Sequence, residues 1–267
     1  MHNIPKIIHY CWLSGEEFPE IIKNCIDSWK QQLSDYEFIL WDTKRFDVNS
    51  CTYVKEAFEA QKYAFASDYI RLYALYNYGG IYLDSDIQVF KSFDDLLNQP
   101  GFLGFEKEDV IAGWILASEK GNPLFKEFLD HYTNRHFVFP DGHFDLTPNG
   151  NPITETCVKH GAKLDNTLQY LEHVTIYPRT YFCPTIPNTD SIECYSDKTY
   201  AQHLFNAGWI DMEQKKQIIK KREITKKYGK AIGLFYYGVN VIKKEGMYSF
   251  FRRWKVRYTN SKISKNS

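Results

Sequence analysis

Two aspartates one residue apart, Asp84 and Asp86, close a short apolar run, Ile81–Leu83. In extended backbone, residues i and i+2 point the same way. The spacing therefore predicts both carboxylates on one spot at the end of a buried strand. Like charges held that close repel, and a hard divalent cation between them relieves the repulsion. Carboxylate oxygens suit magnesium or manganese, which keep positions open for water and substrate phosphates. The chemistry implied is a metal-diphosphate site, of the kind an enzyme using a nucleotide-sugar needs. An isolated Asp-x-Asp is most often a solvated turn or a helix cap. Here the apolar residues Ile87, Val89 and Phe90 resume directly after it, and a solvated turn needs no such frame.

The segment feeding this strand carries the next two charges. Residues 64–78 are apolar almost all round, which predicts a buried helix. Asp68 and Arg71 are its two charged residues, and at i and i+3 they share a face. Buried charges are costly unless paired or liganded, so a structural ion pair is one reading. The other follows from the short Gly79-Gly80 connection into the Asp84 strand. It sets Asp68 and Arg71 against the same cavity, one accepting hydrogen bonds from hydroxyls and the other supplying positive charge.

These residues need a frame to hold them, and the chain supplies an alternation. Ile7–Leu13 reads as a strand, Phe18–Gln32 as a helix, Phe38–Trp41 as a strand and Val54–Gln61 as a helix. The buried helix and the Asp-Ser-Asp strand follow. Phe102–Phe105 and Ile111–Ala117 read as later strands, and a helix runs from Lys120-Gly121-Asn122-Pro123 to about Tyr132. Residues 136–156 read as loop. Strands alternating with helices predict an α/β fold with a parallel-dominated sheet. Ligands bind beyond the carboxyl ends of such strands, where Trp12 and Asp84 fall.

At 267 residues the chain can bury a substantial core. The expected partition is a catalytic domain over 1–212 and a helical extension over 213–267. The net charge of zero hides an asymmetry: from Glu213 onward there are 16 Lys or Arg against three Glu, a net +13. That segment is laced with aromatics, including Phe250, Phe251, Trp254 and Tyr258. Basic clusters beside aromatics suit an anionic membrane surface, with a solvated helix pair as the plainer reading. No nucleic-acid motif appears, and the rest of the chain is acidic. Six cysteines lack metal-ligand spacing and read as reduced thiols. With neither a signal peptide nor an apolar run of membrane-spanning length, a cytoplasmic protein is expected, peripheral on the inner face of the plasma membrane.

Ala66-Ser67-Asp68-Tyr69-Ile70-Arg71 and Tyr78-Gly79-Gly80-Ile81-Tyr82-Leu83-Asp84-Ser85-Asp86 together resemble the Asp-x-Asp sugar-binding region of glycosyltransferase family 32. That family includes initiating mannosyltransferases and bacterial capsule enzymes, and the large glucosylating toxins carry a similar core. Ile4–Trp12, Trp29, Glu37–Asp42 and Ala201–Trp209 resemble flanking parts of the family, with Ala207-Gly208 where a serine is often found. The resemblance implies a GT-A type, Rossmann-like nucleotide-sugar-binding sheet flanked by helices. It also implies a metal-dependent, retaining glycosyltransferase using manganese or magnesium and a nucleotide-sugar, uridine-linked by analogy with the toxins. The acceptor would be a glycan or lipid-linked saccharide, in capsule or surface polysaccharide synthesis.

On this reading Asp84, Asp86, Asp68 and Arg71 carry catalysis. Trp12, Asp68, Arg71, Asp84 and Trp209 hold the donor, with Trp12 near the base and Trp209 on the diphosphate. Asp84, Asp86 and His203 hold the metal, and a structural histidine is the alternative for His203. A front-side mechanism needs no protein base, and none is assigned. A nucleotidyltransferase would need a glycine-rich phosphate loop, for which Leu13-Ser14-Gly15-Glu16 is a poor candidate. A non-catalytic carbohydrate-binding scaffold and a toxin-like enzyme acting on a protein remain as other readings.

Overall fold

A computed structural model of the chain describes residues 3–184, 195–205, 220 and 224. The fold lies in the first of two units, Met1–Asn206 and Ala207–Ser267. Strand β1 (Ile7–Cys11) is followed by α1 (Glu20–Gln32), β2 (Glu37–Trp41), α2 (Thr52–Glu59) and α3 (Tyr63–Tyr78). Strands β3 (Gly80–Leu83), β4 (Ile87–Val89), β5 (Gly101–Lys107) and β6 (Val110–Ser118) come next. The order continues with α4 (Pro123–Asp130), α5 (Gly150–Lys159), β7 (Gln169–Tyr170), β8 (Thr175–Tyr177) and β9 (Ala201–His203).

The α/β fold is present, and its main sheet runs β2-β1-β3-β6-β5-β8-β7. It is more mixed than the alternation suggested. Strands β2, β1 and β3 are parallel, as are β5 and β8, but β6 runs antiparallel to both β3 and β5. The reason is the connection: two residues, Glu108 and Asp109, join β5 to β6, and so short a link can return the chain only antiparallel. The other departure is α5. Asn149-Gly150-Asn151-Pro152 has the composition of a turn, yet proline is tolerated in a helix's first turn. Ile153, Thr154, Thr156 and Cys157 are buried, giving the helix an inner face.

The sheet divides the core in two. Tyr82 faces the layer holding α2, α3 and α4, and its neighbours Ile81 and Leu83 face the layer holding α1. Helix α1 buries Ile22, Cys25, Ile26 and Trp29, one stripe at helical spacing. Helix α3 runs between sheet and α2 with both sides covered, which explains its apolar circumference. Cys11, Cys25, Cys51 and Cys157 are free thiols, and burial pushes Cys11, Cys25 and Cys157 up to about 12. No described helix is long and apolar enough to cross a membrane.

The link from α3 to β3 is positioned closely. Gly79 and Gly80 have φ of +71° and +110°, and a Cβ on Gly80 would stand 2.7 Å from the Ile7 carbonyl. His9, fully buried in β1, holds this link. Trp41 Nε1 donates to His9 Nδ1 at 3.1 Å, which leaves Nε2 to donate to the Gly79 carbonyl at 2.8 Å. Burial lowers the imidazole to about 4, so it stays neutral. The unfolded chain takes up that proton near pH 6.5 and the folded chain only near pH 4. Stability should therefore fall as pH drops through that window, by up to about 3 kcal/mol from this group. His9→Gln is expected to unfold more easily at pH 7.5 but to lose less between pH 6.5 and 4.5 in urea titrations. An unchanged pH slope would contradict the neutral histidine.

Candidate functional site

Strand β3 delivers Asp84 to the carboxyl end of the sheet, where its backbone N–H donates to the Trp114 carbonyl at 2.9 Å. The chain then turns over Asp84-Ser85-Asp86, closed by Ile87 N–H to Asp84 carbonyl at 3.1 Å. The two carboxylates thus converge through a turn, not through the alternation of an extended strand. Beyond the turn, β4 leaves the main sheet and pairs with β9, with Ile87 opposite His203. Leu204 N–H donates to the Asp86 carbonyl at 3.1 Å, closing the clip.

That clip brings His203 across more than 100 residues of sequence to place Nε2 3.0 Å from Asp86 Oδ1. One ligand atom each from Asp84, Asp86 and His203 lie within 4.8 Å of one another. The imidazole packs against Trp114, ring centroids 4.8 Å apart, and against Phe205, 4.0 Å apart. His203 Nδ1 is buried and has no hydrogen-bond partner among the described residues. A histidine held this firmly, with one nitrogen unused, has the character of a ligand more than of a core filler.

Arg71 ties this trio to α3. Nη2 lies 3.1 Å from Asp68 Oδ1 and 3.1 Å from Asp84 Oδ1. Nη1 donates to the Gly113 carbonyl, Nη2 to Ser67 Oγ and Nε to the Ser67 carbonyl. The guanidinium also lies over the Tyr82 ring, 4.7 Å from its centroid. Tyr82 in turn donates its hydroxyl to Asp84 Oδ1 at 3.0 Å. The ion pair read on α3 and the carboxylate pair read at the strand end are therefore one network.

Electrostatics make the network tense. Burial raises the Asp68 carboxyl to about 7, against the pull of Arg71. Burial raises Asp84 as well, again opposed by Arg71. Burial works against the Arg71 charge too, but Asp84, Tyr82 and Asp68 hold its pKa above the usual range. One guanidinium serves two carboxylates, and the excess negative charge faces the Asp86 side. That arrangement accepts a cation. Two carboxylates and an imidazole fit manganese, whose ligand preferences span oxygen and nitrogen, and the oxygens alone suit magnesium.

Trp12 lies just past β1, at the same end of the sheet as Asp84 because β1 and β3 are parallel. Its indole N–H donates to the Glu16 carbonyl at 2.7 Å, and its ring packs on Phe18. Trp209 and the basic segment 213–267 lie outside the described residues. Trp114, Gly113 and Asn149 belong to the site and carried no signal of it. Trp114 and Gly113 sit within an apolar strand pattern, and Asn149 within an apparent loop.

The family described as capsular polysaccharide synthesis proteins matches residues 1–141. Inositol phosphoceramide mannosyltransferase 3 of Schizosaccharomyces pombe is 30% identical over 148 residues, 51% of this chain and 40% of that protein. Mannosyl phosphorylinositol ceramide synthase SUR1 of Saccharomyces cerevisiae is 30% identical over 142 residues, 51% of this chain and 37% of that protein. The chain thus spans less than half the length of these two relatives. Among solved structures, the PaToxG glycosyltransferase is similar at a TM-score of 0.43 and 19% identity, covering 58% of this chain and 69% of that one. With the match extending over more than half of its sequence, the chain belongs to the family of capsular polysaccharide synthesis proteins.

Proposed function

We propose that this chain is a metal-dependent glycosyltransferase of family 32 type with a GT-A architecture. It moves a sugar from a nucleotide-sugar, uridine-linked, to a glycan or lipid-linked saccharide in surface polysaccharide synthesis. The observation that carries the reading is the convergence of Asp84, Asp86 and His203 within 4.8 Å, joined through Arg71 to Asp68. The names of the yeast relatives, which act on inositol-containing ceramides, support a lipid-linked acceptor.

Asp84, Asp86 and His203 would hold manganese or magnesium. Bound there, the cation supplies Lewis-acid stabilisation to the departing nucleoside diphosphate. The chain's own residues do the positioning. Arg71 fixes the Asp84 carboxylate from one side and Tyr82 from the other, so Asp84 presents a set orientation. Asp68 accepts hydrogen bonds from donor-sugar hydroxyls. Trp12 flanks the base, and Trp209 contacts the diphosphate. The basic, aromatic-rich segment after residue 212 is proposed to rest on an anionic membrane, placing the enzyme peripherally on the cytoplasmic face.

A thermal-shift screen of common uridine and guanosine nucleotide-sugars, each with and without manganese, tests the reading. Stabilisation by one donor only in the presence of the metal is expected. A well-folded protein indifferent to the whole panel would contradict it.

A further inference from the structure

Phe205 follows the strand that delivers His203, and its backbone has a φ of +49°. That left-handed region is sterically unfavourable for a bulky side chain. The other described non-glycine residues found there are Gln61, Asn134 and Asn166, and asparagine visits it readily. An aromatic residue held in that conformation stores strain, which persists only where the surroundings over-determine it. The surroundings here are rings. The Phe205 ring centroid lies 4.0 Å from that of the His203 imidazole and 6.4 Å from that of Trp114, to which it is nearly perpendicular. Trp114 is itself anchored, because its Nε1 donates to Glu106 Oε2 at 3.2 Å. Leu204, between the histidine and the phenylalanine, is tied through its N–H to the Asp86 carbonyl.

A histidine that binds a metal ordinarily donates its second ring nitrogen to a carboxylate, a carbonyl or water, and that bond sets the ring. His203 turns Nε2 toward Asp86 at 3.0 Å, yet Nδ1 is buried with no hydrogen-bond partner among the described residues. Packing therefore fixes the imidazole, and Phe205 is the nearer of the two rings that touch it. Side chains two apart on an extended strand stand about 7 Å from each other. With the left-handed turn at Phe205, the two rings lie 4.0 Å apart.

We propose that Phe205 is a positioning residue for the metal, holding the His203 imidazole against Asp86 in place of a second hydrogen bond. This rests on the reading of Asp84, Asp86 and His203 as a metal site and adds what orients its nitrogen ligand. The strained backbone is the condition for the contact. Metal preference is the consequence: an imidazole nitrogen suits manganese better than magnesium, whereas carboxylate oxygens serve both. Loosening the ring should weaken manganese and spare magnesium.

The test titrates manganese into the purified chain without nucleotide-sugar, reading the free ion from its EPR signal, with magnesium measured as a competitor. Phe205→Gly removes the ring while keeping a residue at ease with positive φ. It should weaken manganese about 10- to 100-fold and change magnesium less than about twofold. Phe205→Asn, also tolerant of that conformation, should behave alike if the glycine variant folds poorly. Phe205→Tyr keeps the ring and should bind like the wild type. His203→Ala should weaken manganese as much as Phe205→Gly, and the double variant no further, because the ring acts through the imidazole. Unchanged manganese affinity in Phe205→Gly, losses equal for both metals, or losses that add to those of His203→Ala would overturn the inference alone. A wild type that binds no manganese, or a His203→Ala variant that binds it normally, would bring down the metal reading and the inference together.

Discussion

Arg71→Met is expected to destabilise the fold by about 3–5 kcal/mol and to abolish turnover, the larger loss of stability among the substitutions considered. Removing one partner of a buried pair leaves an uncompensated charge, and costs of that size are typical. Here the exposure is greater, since one guanidinium answers both Asp68 and Asp84 and its side chain is only 5% exposed. Methionine conserves much of the volume, so the loss reports charge and hydrogen bonding more than a cavity. Arg71→Lys should recover part of the stability and little activity. An ammonium supplies charge but cannot reach Ser67, Gly113 and both carboxylates with the geometry of a planar fork. Urea unfolding of the three proteins checks this, and a loss below about 1 kcal/mol for the methionine variant would contradict the shared-cation network.

Asp86→Asn should do the opposite, leaving the fold intact and removing activity. Asp86 joins the clip through its backbone carbonyl, which accepts Leu204 N–H and survives the change, and through Oδ1 beside His203 Nε2, a contact that an asparagine amide oxygen of the same shape can keep. Its carboxylate lies against His203 and within reach of Asp84, where it adds negative charge to an already crowded site. Neutralising it should shift stability by no more than about 1 kcal/mol. Metal-assisted charge stabilisation contributes several kcal/mol in the transition state, so the expected fall in manganese-dependent turnover is about 100- to 10,000-fold. Circular dichroism melts beside donor-hydrolysis rates separate the two effects. A variant that melts normally and turns over normally would remove Asp86 from the metal set.

How much of this was legible in the sequence depended on how far each signal reached along the chain. Asp84, Asp86, Asp68 and Arg71 lie within 19 residues, and a buried helix joined to a buried strand by two glycines leaves few places for their side chains. The alternation of strands and helices gave the α/β fold through β3, because short-range periodicity reports which face is covered. The antiparallel β6 follows from its two-residue link to β5, which the strand ends read at Phe105 and Ile111 did not show as so short; the departure of β4 from the sheet is decided by long-range pairing with β9 and leaves no local pattern. The turn at Ser85 was invisible for the same reason: the strand reading and the turn place the same two carboxylates together. His203 was found through its resemblance alone, since nothing near it in sequence marks a ligand. Asn149 was hidden by its own neighbours, because Gly150 and Pro152 read as loop while serving the close packing of a helix start.

The most direct test of the central claim is release of sugar from a nucleotide-sugar by the purified chain, followed with manganese, after chelation by EDTA, and after manganese is restored. The account predicts hydrolysis with the metal, none after chelation and recovery on its return. Equal rates in all three conditions would contradict the assignment of Asp84, Asp86 and His203 as a metal-diphosphate site.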